Sequence, residues 1–173
     1  TLVPQLSSLK YTQGIIVASP SSTHYEILKE ILPWKIPLFI EKPLTTSLSD
    51  ALDLRKILHH QAFLMHIWRY HRGIQMLGQI ARTGTIGQIT ALYTHRCNWT
   101  SPRRDTDCVW NLAPHDLTIA LEILGYIPTP KSVVVERHQD IIRSMTAMLG
   151  DAPFVQIEVS NRYADKRREV RLH

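Results

Sequence analysis

The chain has 173 residues, 44% of them apolar and 20% charged, which excludes a disordered or fibrous protein and suits one domain or two small ones. No apolar run approaches the roughly 20 residues that cross a bilayer, and Thr1-Leu2-Val3-Pro4 opens no secretory leader, so a cytoplasmic location is expected. The net charge of +5 is local: Arg162, Lys166, Arg167, Arg168 and Arg171 stand against only Asp165 and Glu169, and no basic stripe is interleaved with stacking aromatics. Neither nucleic acid nor membrane is therefore an expected partner. Cys97 and Cys108 are too few for a disulfide framework and read as free thiols. The chain opens without Met in what reads as a helix end (Leu6, Leu9, Lys10) and stops in strand-like Arg171-Leu172-His173, the expected look of an interior piece of a longer protein.

In chain order, Gly14 to Ser19 is a short continuous apolar run, the pattern of a strand covered on both faces. Thr23 and Glu26 have capping-box spacing, and Ile27, Leu28, Ile31 and Leu32 supply a helical stripe ending near Pro33. A second strand at Ile36 to Ile40 completes a βαβ unit with a right-handed connection. Thr45 to Ser49 then offers N-caps for a helix carrying Ala51, Leu52, Leu54, Ile57 and Leu58 to His59-His60, and Phe63 to Trp68 reads as a third strand. Beyond about Ala91 the chain becomes mostly long strands, at Ile89 to Trp99, Ser132 to Arg137, Ile141 to Leu149 and Phe154 to Tyr163, with a hairpin turn at Gly150-Asp151. Two helices interrupt them, from about Gly73 to Arg82 and from Leu112–Pro114 to Gly125. The change of regime predicts a boundary between an α/β part, 1–65, and an α+β part, 66–173.

Glu41-Lys42-Pro43 ends the second strand, at the carboxyl edge where open α/β sheets bind ligands. Proline fixes its own φ and biases the preceding residue away from helix, so Lys42 is either aimed as a proton or hydrogen-bond donor or is a surface turn lysine. Asn111 and His115 are four residues apart and share a helix face about 6 Å apart. Pro114 suits a first turn, which sets His115 near a helix N-terminus where the dipole disfavours imidazolium; the alternative is an Asn cap beside a surface histidine. Ser19-Pro20-Ser21 leads into the Thr23 helix, a place for an anion or ribose contact or for simple capping, with His24 expected exposed in the first turn. His95, Cys97, Cys108 and His115 match none of the tight zinc-ligand spacings, so no metal is expected. Trp68-Arg69-Tyr70-His71 reads as a ligand contact or as an aromatic hinge.

In this order, GIIVASPSSTHYEIL, FIEKPL, an RYHRGIQML helix closed by TGTIG, and WNLAPHDLTIALEILG resemble the Gfo/Idh/MocA oxidoreductases, the glucose-fructose oxidoreductase and inositol dehydrogenase family. The resemblance implies an α/β fold: the C-terminal remnant of a Rossmann dinucleotide-binding domain over 1–65, then an α+β substrate domain over 66–173 with a mainly antiparallel sheet. It implies NAD or NADP as cofactor and a sugar, nucleotide-sugar or polyol as substrate. Lys42 takes the role of donor to the reacting oxygen, and His115 that of proton shuttle from the family's Asp-x3-His motif. Ala18, Ser19, Pro20, His24 and Glu41 match positions that line the dinucleotide, and Arg69 one near cofactor and substrate. Lys42 and His115 are then expected to meet at one cleft, and the large sheet suits a homo-oligomer.

Two departures bear on activity. No Gly-x-Gly-x-x-Gly turn occurs in the chain, so the pyrophosphate cradle is expected outside it. Asn111 stands where the family usually has Asp; an amide orients a histidine but does not stabilise an imidazolium as a carboxylate does. A non-catalytic relative that binds ligands or assembles is the alternative to a dehydrogenase.

Overall fold

Parallel pairing organises the first part of the chain. The computed structural model describes residues 5–9, 11–58, 62–99 and 106–173, and divides into two units, Thr1–Met65 and His66–His173. In the first, β1 (Ile15–Val17), β2 (Leu38–Ile40) and β3 (Ala62–Leu64) form a parallel sheet in that order. The crossovers are α1 (His24–Ile31) and α2 (Leu48–Ile57). Right-handed crossovers that step twice in the same direction lay both helices on one face, and Leu28, Ile31 and Leu54 are buried with Val17, Leu38 and Ile40. The register row Ile16, Phe39, Phe63 lies on the other face, where Ile16 is 73% and Phe63 43% exposed. The cover expected on both faces is thus present on one, among the described residues.

Local signals at the helix ends were used in part. Thr23 has helical backbone and makes no side-chain cap bond, so the capping box predicted from Thr23 and Glu26 does not form. A 3-10 turn, Ser21–Thr23, already precedes α1; the Thr23 Oγ1 closes it by donating to the Pro20 carbonyl at 2.7 Å. Ser47 does cap α2, accepting from the Asp50 amide at 3.4 Å. The helix stops at Ile57, and Leu58, predicted helical, is extended; His59-His60 fall outside the described residues. The strand predicted through Trp68 is shorter: β3 ends at Leu64, and Ile67–Tyr70 is a 3-10 turn.

The second unit is a five-stranded sheet with helices on one face. Its strands are β4 (Ala91–Trp99), β5 (Pro130–His138), β6 (Ile141–Leu149), β7 (Phe154–Ser160) and β8 (Arg162–Leu172), in the order β5-β6-β7-β4-β8. All pairings are antiparallel except that of β4 with β7. The helices are α3 (Arg72–Thr83) and α4 (Cys108–Leu124). Period-two alternation puts Leu92, Val155, Ile157, Val159 and Leu149 on the helical face, where they bury against Ile119, Ile123 and Leu112. The α3–α4 approach depends on Gly78, where a Cβ would stand 2.9 Å from the Glu122 carbonyl oxygen. The predicted Gly150-Asp151 turn joins β6 to β7, with Gly150 at φ +69°. The run predicted as one strand to Tyr163 breaks at Asn161 into β7 and β8. No described helix is long and apolar enough to cross a membrane.

Candidate functional site

In the first unit the three parallel strands end together. The Glu41 amide donates to the Val17 carbonyl at 2.9 Å, and the Met65 amide to the Ile40 carbonyl at 2.8 Å. Residues leaving β1 and β2 therefore share the carboxyl edge of the sheet: Ala18, Ser19 and Pro20 from β1, Glu41 and Lys42 from β2. Ala18 and Pro20 are exposed, while Ser19, Glu41 and Lys42 are half-buried. Pro43 is buried, and the Lys42–Pro43 peptide is cis.

His24 differs from its expected exposed position. Its side chain turns inward, and the residue is 1% exposed. Nδ1 lies 3.0 Å from the Pro43 carbonyl oxygen and Nε2 3.0 Å from the Ser19 carbonyl oxygen. The 3-10 turn runs directly into α1, and the first residue of the helix is a core residue. On the surface beside it, Tyr25 donates to Asp53 at 2.8 Å, which holds that carboxyl below the usual carboxylate range.

In the second unit the helix bearing Asn111 and His115 starts sooner than predicted. Asp107 is its N-cap, accepting from the Trp110 amide at 3.0 Å, so Pro114 lies inside α4 and not in its first turn. His115 is then two turns into the helix, and the dipole argument for a neutral imidazole lapses, because that field fades within the first turn. Asn111 and His115 remain one turn apart on the same helix, as their spacing requires. Proline removes the amide that would bond to the Trp110 carbonyl. Its own carbonyl accepts from the Thr118 hydroxyl at 2.6 Å.

Around His115 the structure assembles Trp68, weighed above as a ligand contact or aromatic hinge, with Arg96 and Asp116, which sequence reasoning missed. The Trp68 ring stands edge-on to His115 with centroids 6.5 Å apart. The Arg96 guanidinium lies over the same Trp68 ring, 4.6 Å from its centroid, an attractive cation–π placement. Arg96 also grips Asp116 through Nε to Oδ2 at 2.7 Å and Nη2 to Oδ1 at 3.4 Å, and Asp116 is fully buried. Burial pushes the Asp116 carboxyl up, and the Arg96 charge works against that shift. A cavity of about 380 Å³ opens beside this network, lined in part by Trp68, His71, Ile74, Leu77, Arg96 and Arg168. The available signal was alternation along β4: it puts Arg96 on the same face as Leu92, where a charge needs a partner. Arg69 turns to Glu122, Nε to Oε2 at 3.1 Å.

Of the four residues weighed as zinc ligands, His95, Cys97 and Cys108 lie on or beside the sheet of the second unit. His95 Nδ1 lies 2.7 Å from Glu158 Oε2. Cys97 and Cys108 are buried free thiols, and burial pushes them up to about 11 and about 12. The basic stretch near the end is strand β8, where Arg167 and Arg171 both pair with Glu169, and Arg162 with Glu136.

Residues 3–67 match the Gfo/Idh/MocA oxidoreductase family, NAD-binding Rossmann fold. The chain belongs to this family. It is 25% identical over 143 residues to 2,7-anhydro-N-acetylneuraminate hydratase of Escherichia coli, covering 75% of this chain and 38% of the relative. It is 30% identical over 124 residues to UDP-N-acetylglucosamine 3-dehydrogenase of Acidithiobacillus ferrooxidans, covering 69% and 38%. The solved inositol dehydrogenase homolog of Azotobacter vinelandii, complexed with NADH and myo-inositol, superposes with a TM-score of 0.77 at 17% identity, over 92% of this chain and 47% of that one. The chain thus spans well under two thirds of the curated relatives it matches.

Proposed function

We propose that the complete protein is an NAD- or NADP-dependent oxidoreductase that moves a hydride between the nicotinamide cofactor and a sugar, nucleotide-sugar or polyol substrate. The observation that carries this reading is Lys42 at the carboxyl end of β2, within a parallel sheet of a Gfo/Idh/MocA chain. The Acidithiobacillus relative acts on a nucleotide sugar, and the Azotobacter structure holds NADH and myo-inositol, which supports the substrate and cofactor classes. The shared carboxyl edge fits a dinucleotide: exposed Ala18 and Pro20 and half-buried Ser19, Glu41 and Lys42 offer small, polar and charged groups side by side. When bound, the nicotinamide ring accepts or returns the hydride. In the alcohol-to-ketone direction the substrate C–H bond gives up its electron pair, and the hydroxyl proton passes to His115 as the carbonyl forms. Lys42 donates a hydrogen bond to the oxygen as charge builds there, the kind of electrostatic help that dominates many rate enhancements. Asn111, one helical turn before His115, orients it, and Arg69 stands near cofactor and substrate. Residues 66–173 form the substrate domain of a cytoplasmic homo-oligomer.

Titrating the complete protein with NADH and NADPH, then assaying sugars, nucleotide sugars and polyols, tests the reading. Turnover of one such substrate is the expected result, and absence of dinucleotide binding at millimolar concentration removes it. Asn111 favours a second reading, a non-catalytic relative that binds ligands or assembles. Asn111→Asp separates the two: turnover rising by orders of magnitude marks an attenuated enzyme, and no reaction in either form marks a binding protein.

A further inference from the structure

His24 faces two acceptors with two ring nitrogens. The carbonyl oxygens of Ser19 and Pro43, each 3.0 Å away, have no hydrogen to give. A neutral imidazole has one N–H, so whichever tautomer forms, its other nitrogen would turn a lone pair toward a carbonyl inside the protein. Both contacts are hydrogen bonds only when both nitrogens carry protons. The residue is 1% exposed, so water does not make good the deficit.

The two carbonyls belong to segments that matter for the carboxyl edge. Ser19 heads the turn after β1, and Pro43 follows Lys42 directly. Apart from this ring, the Glu41 amide on the Val17 carbonyl joins the same two segments. We propose that His24 is a positioning residue: protonated on both nitrogens, it bridges the Ser19 and Pro43 carbonyls and fixes the Lys42–Pro43 peptide against the turn that follows β1. The charged groups carried by its surroundings are Glu26, Lys29 and Glu30 on its own helix, Glu41 and Lys42 on the facing loop, and Asp50, Asp53, Arg55 and Lys56 on α2, which packs on α1. The bridge holds the backbone on both sides of the lysine, so it acts on the direction of the ammonium and not on cofactor affinity. Its catalytic consequence rests on the role given to Lys42 above; the bridge itself does not.

Ring-nitrogen NMR of 15N-labelled protein near neutral pH reads the bridge without any assay. Both His24 nitrogens are expected protonated, and a single-proton tautomer overturns the proposal. In the complete enzyme, His24→Asn keeps at most one of the two bonds and is expected to lower kcat by about 10²-fold, the usual scale for a misplaced catalytic group, while KM stays near its original value. Combined with Lys42→Met it is expected to add little further loss, because both changes act through one ammonium. Losses that add fully, or a KM effect without a kcat effect, overturn the positioning role. Should the asparagine variant fail to fold, the NMR measurement still decides. A doubly protonated ring in a protein without turnover upholds the bridge and removes only the dehydrogenase reading.

Discussion

Removing the Asp116 carboxylate leaves the Arg96 guanidinium buried without its counter-charge. The two are 0% and 3% exposed, so no water compensates. Asp116→Ala is expected to destabilise the second unit by about 3–5 kcal/mol, the usual penalty for breaking a buried pair from one side. Replacing both, as Arg96→Met with Asp116→Leu, should recover most of that loss in urea unfolding, since an apolar pair of similar volume has no charge to desolvate. If the double variant is as unstable as the single one, the stacking of Arg96 on Trp68 outweighs the ion pair. The pair also braces the helix immediately after His115, so the same single variant should disturb the imidazole before it disturbs the sheet.

At the scale of elements, Pro114 is the conspicuous irregularity. A proline inside a helix forfeits one backbone hydrogen bond and crowds the preceding turn, at about 3 kcal/mol against alanine. Pro114→Ala should therefore raise the thermal midpoint of the protein; an unchanged or lower midpoint would mean that the proline ring is needed for packing. Gly78 makes the opposite case. Its absent side chain lets α3 approach the Glu122 carbonyl, and Gly78→Ala should destabilise by about 1–3 kcal/mol through overpacking, read by chemical denaturation.

These two elements also mark how far the sequence could be read. Strand β6 was predicted with its observed ends, and α3 to within a residue, because turn residues and apolar period agree at their boundaries. The start of α4 was misplaced by several residues because Pro114 is a common first-turn residue, while the cap actually used, Asp107, follows a polar segment with no apolar period to flag it. His24 was misjudged for a related reason. A polar first-turn residue is usually solvated, and nothing in the local sequence announces carbonyls arriving from Ser19 and from Pro43, nineteen positions later. Lys42 and the Asn111–His115 spacing were legible because strand ends and helical turns are local; the Arg96–Asp116–Trp68 cluster joins three elements and was not.

For the molecule as a whole, the two thiols tie stability to alkaline pH. Their folded values stand at about 11 and about 12, against about 8.5 in an unfolded chain. Above that lower value the unfolded chain gives up protons that the folded one retains, so stability is complete below it and declines as pH rises toward the folded values. Each thiol contributes a slope of about 1.4 kcal/mol per pH unit in that window. Cys97→Ser/Cys108→Ala is expected to flatten the alkaline limb of denaturation midpoints measured against pH. A limb of unchanged slope would assign it to other groups. In the native protein, iodoacetamide should modify neither cysteine at neutral pH until denaturant is added, with the mass shift as readout.

The bare row of Ile16, Phe39 and Phe63 governs how this polypeptide behaves in a tube. Two stacked phenyl rings, one of them half-buried, beside an exposed isoleucine make an adhesive stripe among the described residues, and kosmotropic salts strengthen such adhesion. Ammonium sulfate should therefore precipitate the chain early, and Ile16→Lys should shift that threshold to higher salt while leaving helical circular dichroism intact. For anyone producing it, dilute buffers of low sulfate content will serve better than salting-out steps.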